Sequence, residues 1–126
     1  NEITGGRGAD VIYDPVGGDA FNASLRCAAF EARIIIVGFA SGRIPRIPAN
    51  ILLVKNISAI GYYWGAYATH GLQVLRESFA DLERMYRDGK LRPLVGATFP
   101  LEQARAALEH IAGRKAIGKT VITMDG

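Results

Sequence analysis

Residues 33–39, RIIIVGF, are an unbroken apolar run after Arg33, in which the side chains from Ile34 to Val37 are all β-branched. A strand with one face in water alternates apolar and polar residues, whereas a strand of a parallel sheet is covered on both faces and reads as a continuous apolar run. Residues 10–14 (DVIYD) and 57–64 (ISAIGYYW) are two further β-prone stretches. The sequence therefore predicts a buried parallel sheet, whose strands must be joined by crossover connections.

Helical patterns lie between these strands, as such connections require. Gly17 and Gly18 break the first strand, and we expect Asp19 to be the N-cap of a helix that follows. The apolar face of that helix carries Phe21, Leu25 and Ala28. The prolines in 41–48 indicate a loop, and 49–56 fits a short helix. This alternation predicts an α/β fold built on a doubly wound parallel sheet.

The remainder of the chain has the clearest helical pattern, at 71–88, which Asp88 and Gly89 end. Its predicted core residues are Leu72, Leu75, Phe79, Leu82 and Tyr86. A half-buried strand at 93–99, a helix and a last strand at 119–124 follow. The predicted core residues of that last helix are Leu101, Ala104, Leu108 and Ile111. These elements predict a C-terminal strand–helix–strand segment.

The composition is that of a globular chain, with 49% hydrophobic and 21% charged residues. The net charge of +3 comes from scattered basic residues, so nucleic acid is not an expected partner. Cys27 is the only cysteine, which leaves no internal disulfide and fits a reducing, cytoplasmic setting. No apolar run is long enough to span a membrane. Because the chain starts at Asn1 within a Gly-rich connection, we expect it to be a piece of a longer protein.

The three predicted strands all end in glycine-containing segments, at 14–18, 38–42 and 62–66. In open α/β sheets, ligands bind beyond the carboxyl ends of the strands. Glycine in these places lets the backbone approach a ligand, and it also serves tight turns that bind nothing. Both interpretations of the glycines remain open from the spacing alone.

Three segments carry a resemblance to a known family. They are GRGADVIYDPVGGDAFNASLRC, RIIIVGFASGRIPRIPANILLVKNISAIGYYWG and GKLRPLVGATFPLEQARAALEHIAGRKAIGKTVIT. In this order and spacing they resemble the zinc-free quinone oxidoreductase branch of the medium-chain dehydrogenase/reductase superfamily. The similarity covers nearly all of residues 5–124. It implies that the fold is the second half of a doubly wound parallel (Rossmann-like) sheet.

The resemblance also implies an activity and a division into domains. Members of this branch transfer hydride from NADPH to a small quinone or a related conjugated carbonyl, and the resemblance favours NADPH while leaving NADH open. Residues 1–90 match the C-terminal half of the dinucleotide-binding domain, and 91–126 match the segment that returns to a GroES-like catalytic domain. The chain has no counterpart of the Gly-rich turn that binds pyrophosphate, because GGRG at 5–8 precedes a strand.

By the same resemblance, the cofactor-binding residues fall at the strand exits. Gly17 corresponds to the floor of the cofactor cleft, and 37–41 to backbone along the nicotinamide ribose and ring. The residues of that second exit are Val37, Gly38, Phe39, Ala40 and Ser41. Tyr63, Trp64 and Gly65 correspond to the surroundings of the carboxamide, and Arg114 to a position that reaches cofactor phosphate in some members. The resemblance implies no metal site and no catalytic residue within this segment.

One position departs from the family pattern. The family has two glycines in the turn before the second strand, where this chain has Glu31 and Ala32. That turn is remote from the cofactor cleft, so the departure concerns the local backbone geometry.

The remaining chemistry-bearing residues have plainer interpretations. His70 and His110 belong to no cluster with metal-ligand spacing, and we expect structural or solvent-facing roles. Cys27 fits a small core residue on a helix. Tyr62 and Tyr67 form either a ligand wall or an apolar rim, and the resemblance favours a wall for their neighbours at 63–64. Arg43 and Arg46 fit a solvated loop.

The resemblance implies a homodimer, since the family's counterpart of strand 57–63 lies at the sheet edge and pairs with a second subunit. We expect the isolated chain to be an inactive fragment of the oxidoreductase. The alternative is a non-catalytic, truncated α/β module that binds a ligand or serves assembly. A different enzyme on a similar sheet, such as a methyltransferase, is disfavoured by the length of the family match.

Overall fold

The computed structural model describes residues 2–124, which form two compact units that meet in sequence between Leu72 and Gln73. The first unit contains β1 (Ala9–Asp14), α1 (Gly18–Cys27), β2 (Ala28–Ile36), α2 (Ala49–Lys55), β3 (Ser58–Gly61) and the short α3 (Tyr67–His70). The second unit contains α4 (Leu72–Arg87, from its second residue on), β4 (Val95–Pro100), α5 (Ala104–Ala112) and β5 (Lys119–Thr123). The predicted domain division after residue 90 refers to a longer protein and stays a prediction.

The strands of the first unit form a parallel sheet in the order β1-β2-β3. Asp14 of β1 lies beside Ile36 of β2, and Ile36 lies beside Gly61 of β3. The carboxyl ends of all three strands therefore meet at one edge of the sheet, as the sequence predicts. The α/β fold class, with half of a doubly wound parallel sheet and a C-terminal strand–helix–strand segment, is confirmed.

The core of this unit lies on one face of the sheet, under α1 and α2. Phe21 of α1 and Ile34 of β2 are fully buried, and Ile57 packs in the same cluster. By contrast, Val11 and Tyr13 of β1 are 50% and 67% exposed. The prediction that the sheet is covered on both faces is therefore wrong for this chain, because α1 and α2 pack on the same core.

Strand β2 differs from the prediction at both ends. It begins at Ala28, which the sequence assigned to the preceding helix, and it ends at Ile36 instead of residue 39. The pairing of β2 with β1 is irregular at its start. Ala9 lies beside Ala28 and Val11 lies beside Arg33, so an advance of two residues along β1 corresponds to five residues along β2. Regular pairing thus starts at Arg33, where the apolar run of the sequence begins.

Lys55 joins the two helices on the covered face of the sheet. As the last residue of α2, it donates from Nζ to the carbonyl oxygens of Leu25 at 2.8 Å and Ala28 at 3.1 Å. These carbonyls lie at the C-terminal end of α1, where backbone acceptors lack helical partners and a cation is favoured. One ammonium group therefore fixes the end of α1 and the start of β2.

In the second unit, α5 connects and packs against the parallel strands β4 and β5. Helix α4 has nearly its predicted length, and the turn at Gly89 ends it with a φ of 70°. Most of the predicted apolar stripes are exposed, including Phe79 at 57% and Leu108 at 66%, whereas Leu75 is buried. The prediction of a core along these stripes is therefore wrong within this chain. Among residues 2–124, no helix is long and apolar enough to cross a membrane.

The departure from the family's glycine pair leaves a strained residue in β2. Glu31 has a φ of 61°, in the left-handed region that glycine adopts without steric cost. We expect Glu31→Gly to raise the free energy of unfolding of the full protein by about 0.5–1 kcal/mol, because the Cβ clash with the backbone is removed.

Asn56 offers a matched control, since it follows α2 with a φ of 53° and asparagine tolerates this conformation. Asn56→Gly is expected to change the stability by a few tenths of a kcal/mol at most. Urea unfolding of both variants measures the difference, and a Glu31→Gly protein less stable than the parent would contradict the strain.

Candidate functional site

The exit of β1 is organised by the buried side chain of Asp14. Its Oδ1 accepts hydrogen bonds from the backbone amides of Val16 and Gly17, both at 2.9 Å. The turn leads directly into α1, which has Gly17 as its N-cap. The prediction of Asp19 as the N-cap is wrong, because the N-cap lies two residues earlier and the Asp19 carboxylate pairs with Arg43 at 2.5 Å.

A loop from the exit of β2 covers this turn. The amides of Ala40 and Ser41 each donate a 3.0 Å hydrogen bond, to the carbonyl oxygens of Pro15 and Val16 respectively. A Cβ on Gly17 would lie 2.9 Å from the carbonyl oxygen of Arg43. Gly17 is buried with a φ of 68°, so the backbone conformation and the packing against the loop both favour glycine there. The loop also reaches the N-terminus of α1, since a Cβ on Gly18 would lie 2.9 Å from Oγ of Ser41 and 3.3 Å from Nε of Arg43.

The exits of β2 and β3 line a cavity of about 380 Å³ that is open to solvent. Its lining residues are Ile36, Val37, Gly38, Phe39, Gly61, Tyr62 and Tyr63. Two backbone bonds hold the exits side by side, from the Val37 amide to Asp14 at 3.0 Å and from the Tyr62 amide to Ile36 at 2.9 Å. The structure thus brings together four of the residues that the sequence assigned to the cofactor.

A second cavity of about 500 Å³ adjoins the first. Its lining residues are Tyr13, Pro15, Val37, Tyr62 and Trp64. Gly65 lies outside both linings, but its backbone allows the Tyr63 ring to lie close, since a Cβ there would be 2.9 Å from that ring. Ala40 and Ser41 also lie outside the linings and hold the loop on the β1 turn instead.

All residues that line these two cavities are uncharged, and most of them are apolar or aromatic. Such a lining suits a flat, uncharged ring system and does not suit a phosphate, which requires cationic or amide donors. Within residues 2–124, no group of three or more His, Cys, Asp and Glu residues is arranged to hold a metal ion. The cavities therefore offer apolar and aromatic surfaces together with the hydroxyl groups of Tyr13, Tyr62 and Tyr63.

The other residues considered from the sequence lie elsewhere. Arg114 belongs to the second unit, in the turn after α5, with a φ of 55°. His110 contacts Phe99, with 5.8 Å between the ring centroids, in agreement with a structural role. Cys27 is exposed at the end of α1, so the prediction of a core cysteine is wrong. The sequence leaves open whether Tyr62 forms a ligand wall or an apolar rim. In the structure, Tyr62 lines both cavities.

Comparison with known proteins places the whole chain in one group. The family model for zinc-binding dehydrogenases matches residues 1–122. A quinone oxidoreductase-like protein 2 homolog of Nematostella vectensis is 52% identical over 122 residues, which cover 96% of this chain and 33% of that protein. The chain thus spans about a third of the length of this relative.

Solved structures agree with this match. A probable oxidoreductase from Mycobacterium abscessus has a TM-score of 0.80 and 35% identity, over 97% of this chain and 35% of that one. A mycobacterial protein solved in complex with NADPH has a TM-score of 0.82 and 27% identity, over 96% of this chain and 38% of that one. The resemblance to quinone oxidoreductases predicted from the sequence is confirmed.

The packing of the loop on Gly17 gives a direct test of this architecture. Gly17→Ala is expected to lower the free energy of unfolding of the full protein by about 2–4 kcal/mol, since backbone strain at a φ of 68° adds to a clash with Arg43 and Phe39.

Gly42→Ala is the matched control, because Gly42 has a φ of 76° and no atom lies within 4 Å of the added Cβ. It is expected to cost about 1 kcal/mol from backbone strain alone. Urea unfolding compares the two variants, and equal losses would show that the loop does not pack on Gly17.

Proposed function

The chain belongs to the zinc-binding dehydrogenase family, and on that premise we propose that it forms part of a longer oxidoreductase that transfers hydride from NADPH to a quinone or a related conjugated carbonyl. The observation that carries the proposal is the uncharged cavity where the exits of β2 and β3 meet. A cavity in this position is where α/β sheets bind ligands, and its size falls within the range of small-molecule sites.

The residues of the cavity fit the nicotinamide end of such a cofactor. A Cβ on Gly38 would lie 3.3 Å from the carbonyl oxygen of Pro15, so this position favours a residue without a side chain. Val37 and Phe39 supply apolar walls, and Tyr63 and Trp64 supply aromatic ones. A bound nicotinamide would supply the hydride, while these residues would orient the ring and keep water from it.

The phosphates of the cofactor would need other partners. The uncharged lining offers them no cation, and the loop over α1 covers the nearest helix N-terminus. Arg114 is the candidate within this chain, and we propose the remaining phosphate contacts in the part of the relatives that the chain does not span. Because these phosphate contacts are absent from it, the isolated chain is expected to be inactive. By the family resemblance, we also propose that the complete protein is zinc-free and cytoplasmic.

The function is tested by mixing the full protein with NADPH and a benzoquinone and following the loss of NADPH absorbance. Tyr63→Ala is expected to weaken NADPH binding about tenfold, or about 1.4 kcal/mol, because an aromatic wall of the cavity is lost. Tyr86→Ala is the control, since Tyr86 is similarly exposed and lies on α4. Equal affinities in the two variants, measured by titration, would remove Tyr63 from the site.

We also propose a homodimer that pairs through segment 57–63. Within the described residues, β3 pairs with β2 alone, so its outer edge presents open backbone donors and acceptors. Two copies related by a two-fold axis would satisfy these groups by extending the sheet. Light scattering of the full protein at micromolar concentration is expected to give twice the monomer mass, and a monomer mass would overturn the proposal.

A further inference from the structure

Asp14 is a buried acid beside the two cavities assigned to the cofactor. It is 3% exposed, and none of the ion pairs among residues 2–124 includes it. The amides of Val16 and Gly17 stabilise a charged acceptor at Oδ1, but they leave the negative charge without a counter-ion. A serine or asparagine side chain also accepts from backbone amides in such turns. The shape of the turn therefore does not by itself account for a buried charge, which is costly to bury.

Asp14 lines neither cavity, but residues joined to it do. Pro15 follows it in sequence and lines the second cavity. The amide of Val37, which lines both cavities, donates to the Asp14 carbonyl oxygen at 3.0 Å. At the side-chain end, Oδ1 accepts from the Gly17 amide at 2.9 Å, and a Cβ on Gly17 would lie 3.0 Å from the ring of Phe39, which lines the first cavity. The carboxylate thus lies one residue behind the walls of both cavities.

No opposite charge lies between this carboxylate and a ligand in the cavities. All the lining residues are uncharged, and the chain itself shields Asp14 from solvent. Salt and water screen a buried charge much less than an exposed one, and its field is stronger in protein than in water. A ring bound in these cavities would therefore lie in the field of one fixed negative charge.

Hydride donation changes the charge of the nicotinamide ring. The ring is neutral in NADPH and cationic in NADP⁺, because the hydride leaves with both electrons of the broken C–H bond. The quinone accepts the hydride and is reduced to the hydroquinone by taking up one proton from water. A nearby negative charge stabilises the cationic ring and has little interaction with the neutral one.

We propose that the buried charge of Asp14 favours the oxidised, cationic ring of the cofactor and thereby promotes hydride donation at this end of the cleft. The inference rests on the proposed function, because that function assigns the ring to these cavities. Asp14 touches neither the ring nor the acceptor. Its field distinguishes the two forms of the cofactor, whereas its hydrogen bonds to the turn support both forms alike, and this difference can be measured.

Equilibrium titration of the full protein with NADP⁺ and with NADPH tests the proposal without turnover. Asp14→Asn removes the charge with almost no change in size and keeps one oxygen for the two amides. We expect it to weaken the binding of NADP⁺ about tenfold more than that of NADPH, which is the size of effect expected from one charge across several Å of protein. Asp14→Ser keeps an acceptor in a smaller side chain and is expected to change the ratio in the same direction. The test therefore does not depend on a single variant, and urea unfolding shows that each one is folded.

Asp10→Asn is the matched control. Asp10 lies on the same strand, four residues before Asp14 and thus about 13 Å away along an extended chain. Its side chain is exposed and pairs with Arg7. The same loss of one negative charge, here in water, is expected to leave the ratio of the two affinities within about twofold of the parent.

A single-turnover measurement gives a second readout. The full protein is loaded with NADPH and mixed with saturating benzoquinone, and the loss of NADPH absorbance is followed. Asp14→Asn is expected to slow this step about fivefold, with the KM for benzoquinone unchanged, since the charge acts on the ring and not on the binding of the acceptor.

The outcomes separate this inference from the proposed function. If the Asp14 variants weaken NADP⁺ and NADPH equally, or leave both affinities unchanged, the inference is overturned, and the function stands when the parent oxidises NADPH with benzoquinone. An equal change of the ratio in Asp10→Asn also overturns it, because the effect would then be one of net charge. If the ratio changes as expected but the parent reduces no quinone, the effect of the charge stands and the proposed function fails. A full protein that binds neither form of the cofactor overturns both.

Discussion

The two hydrogen bonds accepted by Oδ1 of Asp14 shape the turn on which the site depends. They direct the chain away from the sheet after β1, so that Pro15 and Val16 present their carbonyl oxygens to the loop after β2. The carbonyl oxygen of Asp14 accepts from the amide of Val37, and the carbonyl oxygen of Ile36 at the end of β2 accepts from the amide of Tyr62. Each strand exit is thus built on the previous one, and a change at Asp14 would propagate across the edge of the sheet.

The burial of Asp14 has a cost as well as a use. Its Oδ2 is buried without a hydrogen-bond partner among the described residues, and an unsatisfied buried oxygen of this kind costs about 1–3 kcal/mol or more. The bonds from the amides of Val16 and Gly17 offset part of that cost, since hydrogen bonds to a charged group are stronger than those between neutral groups. An asparagine would keep one acceptor oxygen for the two amides, but the charge that strengthens both bonds would be lost.

Local patterns determined most of the fold, and contacts distant in sequence determined what could not be predicted. The continuous apolar run at 33–39 predicted a parallel strand, and the pairing of β2 with β1 confirms it, because the burial of a strand is recorded in consecutive residues. No local pattern predicts the packing of the loop on Gly17, since the contact joins residues that are more than twenty positions apart. Tyr62 was similarly ambiguous, because its role depends on the helical turns that bring Tyr67 back to it.

Under the proposed function, the exposed apolar surface of the sheet and the uncharged cavities have one explanation. Val11 and Tyr13 leave apolar surface of the sheet in water, and a sheet face of this kind is normally covered in a stable α/β domain. The cavities at the same sheet are uncharged, although a dinucleotide carries negative phosphates that require donors. A second half-sheet with its own helices would cover the exposed apolar surface and would provide helix N-termini for the phosphates. The apolar contacts and the anion contacts would then come from the same structural element. In the proposed oxidoreductase, this chain supplies the ring-binding end of the cleft, and the cofactor phosphates are held by residues outside it.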